Sequence, residues 1–106
     1  MHYIPNGSLR SIKDWQQRVT EWAVSKGFSW VKGDIDTMLL RIHSEVSEAS
    51  EAIRDNDVEE FAEELADIFI RLVNLCEVWG INLEDEVIKK HNKNLNRAYL
   101  HGRQNK

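Results

Sequence analysis

The chain has 106 residues, 42% of them hydrophobic and 30% charged, and its formal net charge is -4 at pH 7. This length suits one modest core, so residues 1–106 are expected to form a single domain. The negative charge argues against binding to a nucleic acid polymer, because proteins of that class usually carry a basic excess. A small anionic ligand is not excluded, since a few local cations are enough to bind one.

The cysteine content and the hydropathy indicate the compartment. Cys76 is the only cysteine, which excludes an internal disulfide and favours a reducing compartment. Its apolar surroundings predict a buried, unreactive thiol. No uncharged apolar run is long enough to span a bilayer, and the first residues have no signal-peptide pattern. We therefore expect a cytoplasmic protein without a membrane partner.

The first predicted helix follows a short lead-in. Breakers at residues 5–7 indicate that residues 1–7 are flexible. Ser8 or Ser11 can cap the helix, which would run to about Lys26 and end at Gly27.

The second predicted helix follows an aromatic connector at residues 28–33. Asp34 can cap it, and it would run from about Ile35 to Arg54. Its apolar stripe consists of Ile35, Met38, Leu39, Ile42, Val46, Ala49 and Ile53. At about 100° per residue, Glu45 lies at one edge of this stripe and Glu48 lies further round the same side.

The third predicted helix also has acidic residues on one side of its apolar stripe. Asn56 or Asp57 can cap a helix from about residue 58 to residue 79, which Gly80 would end. Its apolar stripe consists of Phe61, Leu65, Ile68, Phe69, Leu72, Leu75, Cys76 and Trp79. Glu64 lies at one edge of the stripe and Asp67 lies beyond it.

The fourth predicted helix begins after Asn82 and would run to about Tyr99, with a flexible tail at residues 100–106. Four helices with short connections predict an all-α antiparallel four-helix bundle. A chain this short would also gain from burying apolar surface between subunits, which favours a homo-oligomer.

The two acidic flanks predict a metal site. A hairpin of the second and third helices would bring Glu45, Glu48, Glu64 and Asp67 together, and four such carboxylates would repel one another without a cation. Oxygen-only ligands suit Mg²⁺, with Mn²⁺ as a substitute. Solvent-exposed glutamates are the alternative interpretation. A di-iron bundle is a second alternative, but it needs Glu-x-x-His motifs that the spacing of His43 does not supply.

The fourth helix carries a basic face, formed by residues at i, i+3, i+4 and i+7. The face consists of Lys90, Lys93, Asn94 and Arg97. Cations in the last turns also favour the helix dipole, so a purely structural role is open. Beside a metal site, the same face suits the binding of a polyphosphate.

With these motifs the chain resembles the MazG-type all-α nucleoside triphosphate pyrophosphohydrolases. This group includes dimeric dUTPases, dCTP pyrophosphatases and phosphoribosyl-ATP pyrophosphohydrolases. Its motif is ExxE, a spacer and ExxD, which is matched here by residues 45–48 and 64–67. The basic face and the ending at residues 97–102 are also similar to members of the group. Glu60 and Glu63 offer a competing register for the second acidic pair.

The resemblance implies hydrolysis of a (d)NTP between the α- and β-phosphates, which gives the monophosphate and pyrophosphate in a housecleaning role. It also implies a homodimer or homotetramer with sites completed across subunits. Glu48 would take the proton of the attacking water, and Lys93 and Arg97 would stabilise the leaving pyrophosphate. The expected base-binding residues are Trp22, Phe28 and Trp30.

Two other interpretations keep the same fold. One is a non-catalytic helical module that binds a nucleotide or a partner protein, and the other is a purely structural helical oligomer. Turnover with release of pyrophosphate distinguishes the enzyme from both.

Overall fold

The computed structural model describes residues 11–97, and this part of the chain is helical throughout, without a strand. The helices are α1 (Ile12–Ser25), α2 (Ile35–Arg54), α3 (Val58–Trp79) and α4 (Leu83–Asn96), with a 3₁₀ turn at Lys32–Asp34. The all-α prediction is confirmed, and the predicted bounds of α2 and α3 agree with the structure. The expected lead-in at 1–7, the alternative cap Ser8, the helix end near Tyr99 and the tail at 100–106 lie outside the described residues.

Side-chain caps begin three of the four helices. The side chains of Ser11, Asp57 and Asn82 each accept a hydrogen bond from a backbone N–H of the first turn of α1, α3 and α4. Asp34 does not cap α2, contrary to the prediction, because its carboxylate accepts a hydrogen bond from the backbone N–H of Val31 at 2.9 Å. The 3₁₀ turn therefore leads directly into α2.

The helical hairpin of α2 and α3 is the centre of the fold. A connection of three residues, 55–57, joins the two helices, and Asn56 within it has a φ of 59°. Helix α1 packs against α3, and α4 packs mainly against α1. The apolar core of the described residues consists of Val19, Ala23, Met38, Ala49, Ala52, Val73, Leu75 and Cys76.

The amide of Gln16 ties α1 to the junction of α3 and α4. Its Nε2 donates to Glu77 Oε1 at 3.1 Å and to the carbonyl oxygen of Ile81 at 2.9 Å. Its Oε1 accepts from the backbone N–H of Leu83 at 2.9 Å. Gln16 is only 3% exposed, so these hydrogen bonds satisfy a buried polar group that would otherwise destabilise the fold.

Part of the predicted apolar stripe of α2 is not covered by this chain. Leu39, Val46 and Ile53 follow one another at intervals of seven residues and are 50%, 49% and 46% exposed. Ala49, nearer the middle of the stripe, is 5% exposed. One edge of the stripe is therefore only half covered by the described part of the chain. None of the helices described here is both long enough and apolar enough to cross a membrane.

Candidate metal centre and adjoining cavity

Three carboxylates of the α2–α3 hairpin converge on one point. Glu45 and Glu48 lie one helical turn apart on α2, and Glu64 reaches the same place from α3. One oxygen from each lies within 4.8 Å of the others. Glu45 and Glu64 are buried, whereas Glu48 is exposed. The acidic trio Glu45, Glu48 and Glu64 is therefore held at the hairpin interface and is open to solvent on one side.

The closeness of the three acids raises the pKa values of two of them, Glu64 and Glu48. The pKa of Glu64 is raised to about 8, first by hydrogen bonding to the side chains of Glu60 and Glu45 and then by burial and by the charges of Glu48 and Glu45. The pKa of Glu48 is raised mainly by the negative charge of Glu45. The folded chain therefore holds the three carboxyl groups close together at an energetic cost, which a bound cation would remove.

The surroundings of Glu45 fit a metal ligand. Its Oε2 is buried without a hydrogen-bond partner in the described part of the chain, and its Oε1 lies 3.5 Å from Nε of Arg71. A buried carboxylate oxygen without a partner is unfavourable, so a ligand for it is expected. A donor set of carboxylate oxygens alone suits a hard divalent cation. His43 is exposed on α2 and is not in the trio, so the di-iron alternative gains no support.

Asp67, the fourth predicted acid, lies beside the trio and not within it. Its pKa is raised by burial first and by the charge of Glu45 second, while the charge of Arg71 lowers it. Asp67 also lines the neighbouring cavity. It thus lies between the acidic trio and the cavity.

That cavity has a volume of about 260 Å³. It lies between α1, the aromatic connector, α2 and α3. Its lining residues are Val19, Trp22, Ala23, Phe28, Trp30, Met38, Arg41, Asp67, Ile70, Arg71 and Asn74. The three aromatic residues expected to bind a base therefore line the same cavity as Asp67 from the second acidic motif.

The aromatic wall is ordered by ring contacts. Phe28 and Trp30 stack with their centroids 6.2 Å apart and their planes 16° apart. The guanidinium of Arg41 lies 5.2 Å from the centroid of the Trp30 ring. Trp22 and Phe28 are 44% and 49% exposed, so apolar ring surface remains available for a flat ligand.

The basic face of α4 lies on a different part of the chain. The side chains of Lys90, Lys93 and Asn94 are exposed, and Arg97 is half-buried at the end of the helix. The packing of α4 is mainly with α1, so its role in phosphate binding stays a prediction.

The structure adds four residues that the sequence interpretation did not place in the site. Glu60 is a neighbour of Glu64, Arg71 pairs with Glu45, and Arg41 and Asn74 line the cavity. Helical spacing could have identified three of them, because it places them on the same face of α3 as the predicted acids. Glu60 precedes Glu64 by one turn, and Arg71 and Asn74 follow Asp67 by one and two turns. In the competing register, Glu63 is exposed and outside the trio, whereas Glu64 is within it.

The raised pKa of Glu64 predicts how stability depends on pH when divalent cations are removed. Its pKa is about 8 in the folded protein, against 4.5 for an ordinary glutamate. Between these values the folded state binds more protons than the unfolded state, so stability falls as the pH rises. The melting temperature in EDTA should therefore fall from pH 5 to pH 9. Saturating Mg²⁺ should reverse most of the loss at high pH, because the ion binds the deprotonated carboxylates of the folded state. A melting temperature that rises over this range would contradict the prediction.

Comparison with protein families identifies a match for this chain. Comparison with curated proteins gives no match, and comparison with solved structures gives none. The family described as the MazG nucleotide pyrophosphohydrolase domain matches residues 34–99, which is more than half of the chain. This segment contains both acidic motifs and the hairpin that brings them together. The chain therefore belongs to the MazG nucleotide pyrophosphohydrolase family.

Proposed function

We propose that the protein hydrolyses (d)NTPs between the α- and β-phosphates and releases the monophosphate and pyrophosphate. The observation that carries the proposal is the acidic trio beside an aromatic cavity, with Asp67 between them. Such an arrangement suits a substrate that combines a flat base with a charged polyphosphate. A nucleotide-pool housecleaning role in the cytoplasm accords with this chemistry and with the family.

Glu45, Glu48, Glu64 and Asp67 would hold Mg²⁺, or Mn²⁺ in its place. When bound, the ion would neutralise phosphate oxygens and lower the pKa of a water molecule. The carboxylates fix its position, because two of them are buried at the hairpin interface. Arg71 would then be released from Glu45 and become available to a phosphate oxygen.

Glu48 is the proposed general base. It is the exposed member of the trio, so a water molecule and a substrate can reach it. The charge of Glu45 raises its pKa, which brings its basicity closer to the value that suits proton transfer at neutral pH.

Two further groups of residues would bind the base and the polyphosphate of the substrate. Trp22, Phe28 and Trp30 would stack on the base in the cavity. The basic face of α4 would bind the polyphosphate through Lys90, Lys93, Asn94 and Arg97. Within that face, Lys93 and Arg97 would stabilise charge on the leaving pyrophosphate.

We also propose that the working form is a homodimer or homotetramer. The exposed edge of α2, formed by Leu39, Val46 and Ile53, has the seven-residue spacing of a helix-packing seam. A second copy of the chain would cover it, since a two-fold interface presents the same surface on both subunits. Assembly of this kind would allow α4 of one subunit to complete the site of another.

A substrate panel tests the activity. Purified protein with Mg²⁺ and each (d)NTP should release pyrophosphate and the monophosphate, identified by chromatography, and EDTA should abolish the release. Release of orthophosphate in place of pyrophosphate would overturn the proposed reaction. Nucleotide-dependent thermal stabilisation without any product would instead favour the non-catalytic binding module.

A further inference from the structure

Asn74 is the buried polar group of the cavity that the mechanism above does not use. It lies on α3, is 7% exposed and lines the cavity together with the aromatic wall. Its side-chain oxygen is buried and has no hydrogen-bond partner among residues 11–97. An unpaired buried amide oxygen costs stability, so its presence at the wall of the cavity needs an explanation.

The position of Asn74 relative to the acids suits a nucleotide. Asp67 and Asn74 lie on the same face of α3, seven residues or about 10 Å apart along the helix axis. The sugar of a nucleotide separates its base from its phosphate, so a phosphate near Asp67 would leave the base further along α3, near Asn74. The volume of about 260 Å³ lies just below the range of about 300–1,000 Å³ typical of pockets for drug-sized ligands. The cavity therefore has room for a base.

The chemistry of an amide fits the edge of a base. A primary amide offers donors and an acceptor side by side, which match the adjacent acceptor and donor on the pairing edge of a nucleobase. Stacking on Trp30 and Phe28 recognises only the flat face, whereas hydrogen bonding from a buried amide recognises the edge. A buried group that is unpaired in the free protein and paired in the complex gives strong discrimination.

We infer that Asn74 is the residue that recognises the edge of the nucleobase, and that its unpaired oxygen is reserved for this ligand. The inference rests on the proposed function only in taking a nucleotide as the occupant of the cavity. It adds a specificity-determining residue on α3 to the aromatic residues of α1 and the connector.

The test compares two amide-to-leucine changes. Asn74→Leu keeps the size of the side chain and removes the amide, and Gln16→Leu does the same at a buried amide whose hydrogen bonds are all within the protein. Binding of AMP, CMP, GMP, UMP and ribose 5-phosphate is measured by calorimetry in Mg²⁺. The melting temperature of each protein without ligand is measured in parallel.

We expect wild-type protein to bind at least one of the four nucleotides more tightly than ribose 5-phosphate. Asn74→Leu should weaken that binding about 10- to 100-fold and leave the binding of ribose 5-phosphate unchanged. Its melting temperature without ligand should be equal to or higher than that of the wild type, because an unpaired polar group is removed. Gln16→Leu should lower the melting temperature and leave the preference among bases unchanged.

Three outcomes would overturn the inference. They are unchanged base binding in Asn74→Leu, no preference of the wild type for any nucleotide over ribose 5-phosphate, and a lower melting temperature of Asn74→Leu with equal weakening for all ligands. The binding measurement is independent of turnover. Base-dependent binding that needs Asn74, without pyrophosphate release from any triphosphate, would support the inference and refute the proposed reaction.

Discussion

Replacing Glu64 with glutamine should lower kcat/KM about 10³-fold, equivalent to about 4 kcal/mol of transition-state stabilisation. The change keeps the shape of a buried side chain and replaces one of the three converging carboxylates with a neutral amide, which binds a cation more weakly. The trio would then lose a ligand and part of the negative charge that attracts the cation. Steady-state kinetics over a range of Mg²⁺ concentrations measures the loss, which should be only partly restored at high Mg²⁺.

The melting temperature of Glu64→Gln should depend on pH differently from that of the wild type. Because the pKa of Glu64 is about 8, the carboxyl is largely protonated at pH 7 without metal, and glutamine resembles that form. The melting temperature in EDTA should therefore match the wild type at pH 7 and exceed it at pH 9. Glu63→Gln is the matched control, since Glu63 is the adjacent, exposed glutamate of the competing register. Equal losses of activity in both variants would contradict the assigned register.

Replacing Leu39 with glutamate should dissociate the proposed oligomer. Leu39 is 50% exposed in the single chain, so the charge remains in water in the monomer and the fold should persist. In the interface the same charge would be buried without a partner, at a cost of about 3–5 kcal/mol. The dissociation constant should rise at least about 100-fold, and a two-fold interface carries the change twice. Sedimentation velocity over a range of concentrations measures it.

Activity provides a second readout of the same change. If α4 of a neighbouring subunit completes the site, kcat/KM of Leu39→Glu should fall at low protein concentration and recover as the concentration increases. Thr37→Glu is the control, because Thr37 is exposed on the side of α2 away from the Leu39 edge. A fully active monomer, or a Leu39→Glu variant that associates as well as the control, would contradict the proposed assembly.

Local sequence signals were sufficient to predict the positions of the two central helices. The turn at residues 55–57 and the apolar period of its flanking helices predict α2 and α3 to the residue, because both ends are marked by breakers or caps. Asp34 shows the limit of this reasoning. A cap residue and a residue that stabilises a preceding 3₁₀ turn look the same in sequence, and only the hydrogen bond from Val31 distinguishes them.

The site was predictable where a helical period linked its residues. The spacing of Glu45, Glu48 and Glu64 on two helices joined by a short turn predicts their convergence. The same reasoning places Asp67 in the group, whereas the structure places it beside the trio. The unpaired oxygen of Asn74 and the ion pair of Arg71 with Glu45 depend on how α1 and the connector pack over α3. Sequence spacing carries no information on that packing. Sequence spacing also does not show which edge of the apolar stripe of α2 stays half-exposed in the described part of the chain.

The most direct test of the account is the binding of Mn²⁺, followed by electron paramagnetic resonance, to wild-type protein and to the triple variant Glu45→Gln, Glu48→Gln, Glu64→Gln. Wild-type protein should bind Mn²⁺, and excess Mg²⁺ should displace it. The triple variant should remain folded by circular dichroism and lose this binding. Equal binding of Mn²⁺ by the folded triple variant would show that the converging carboxylates are not a metal site.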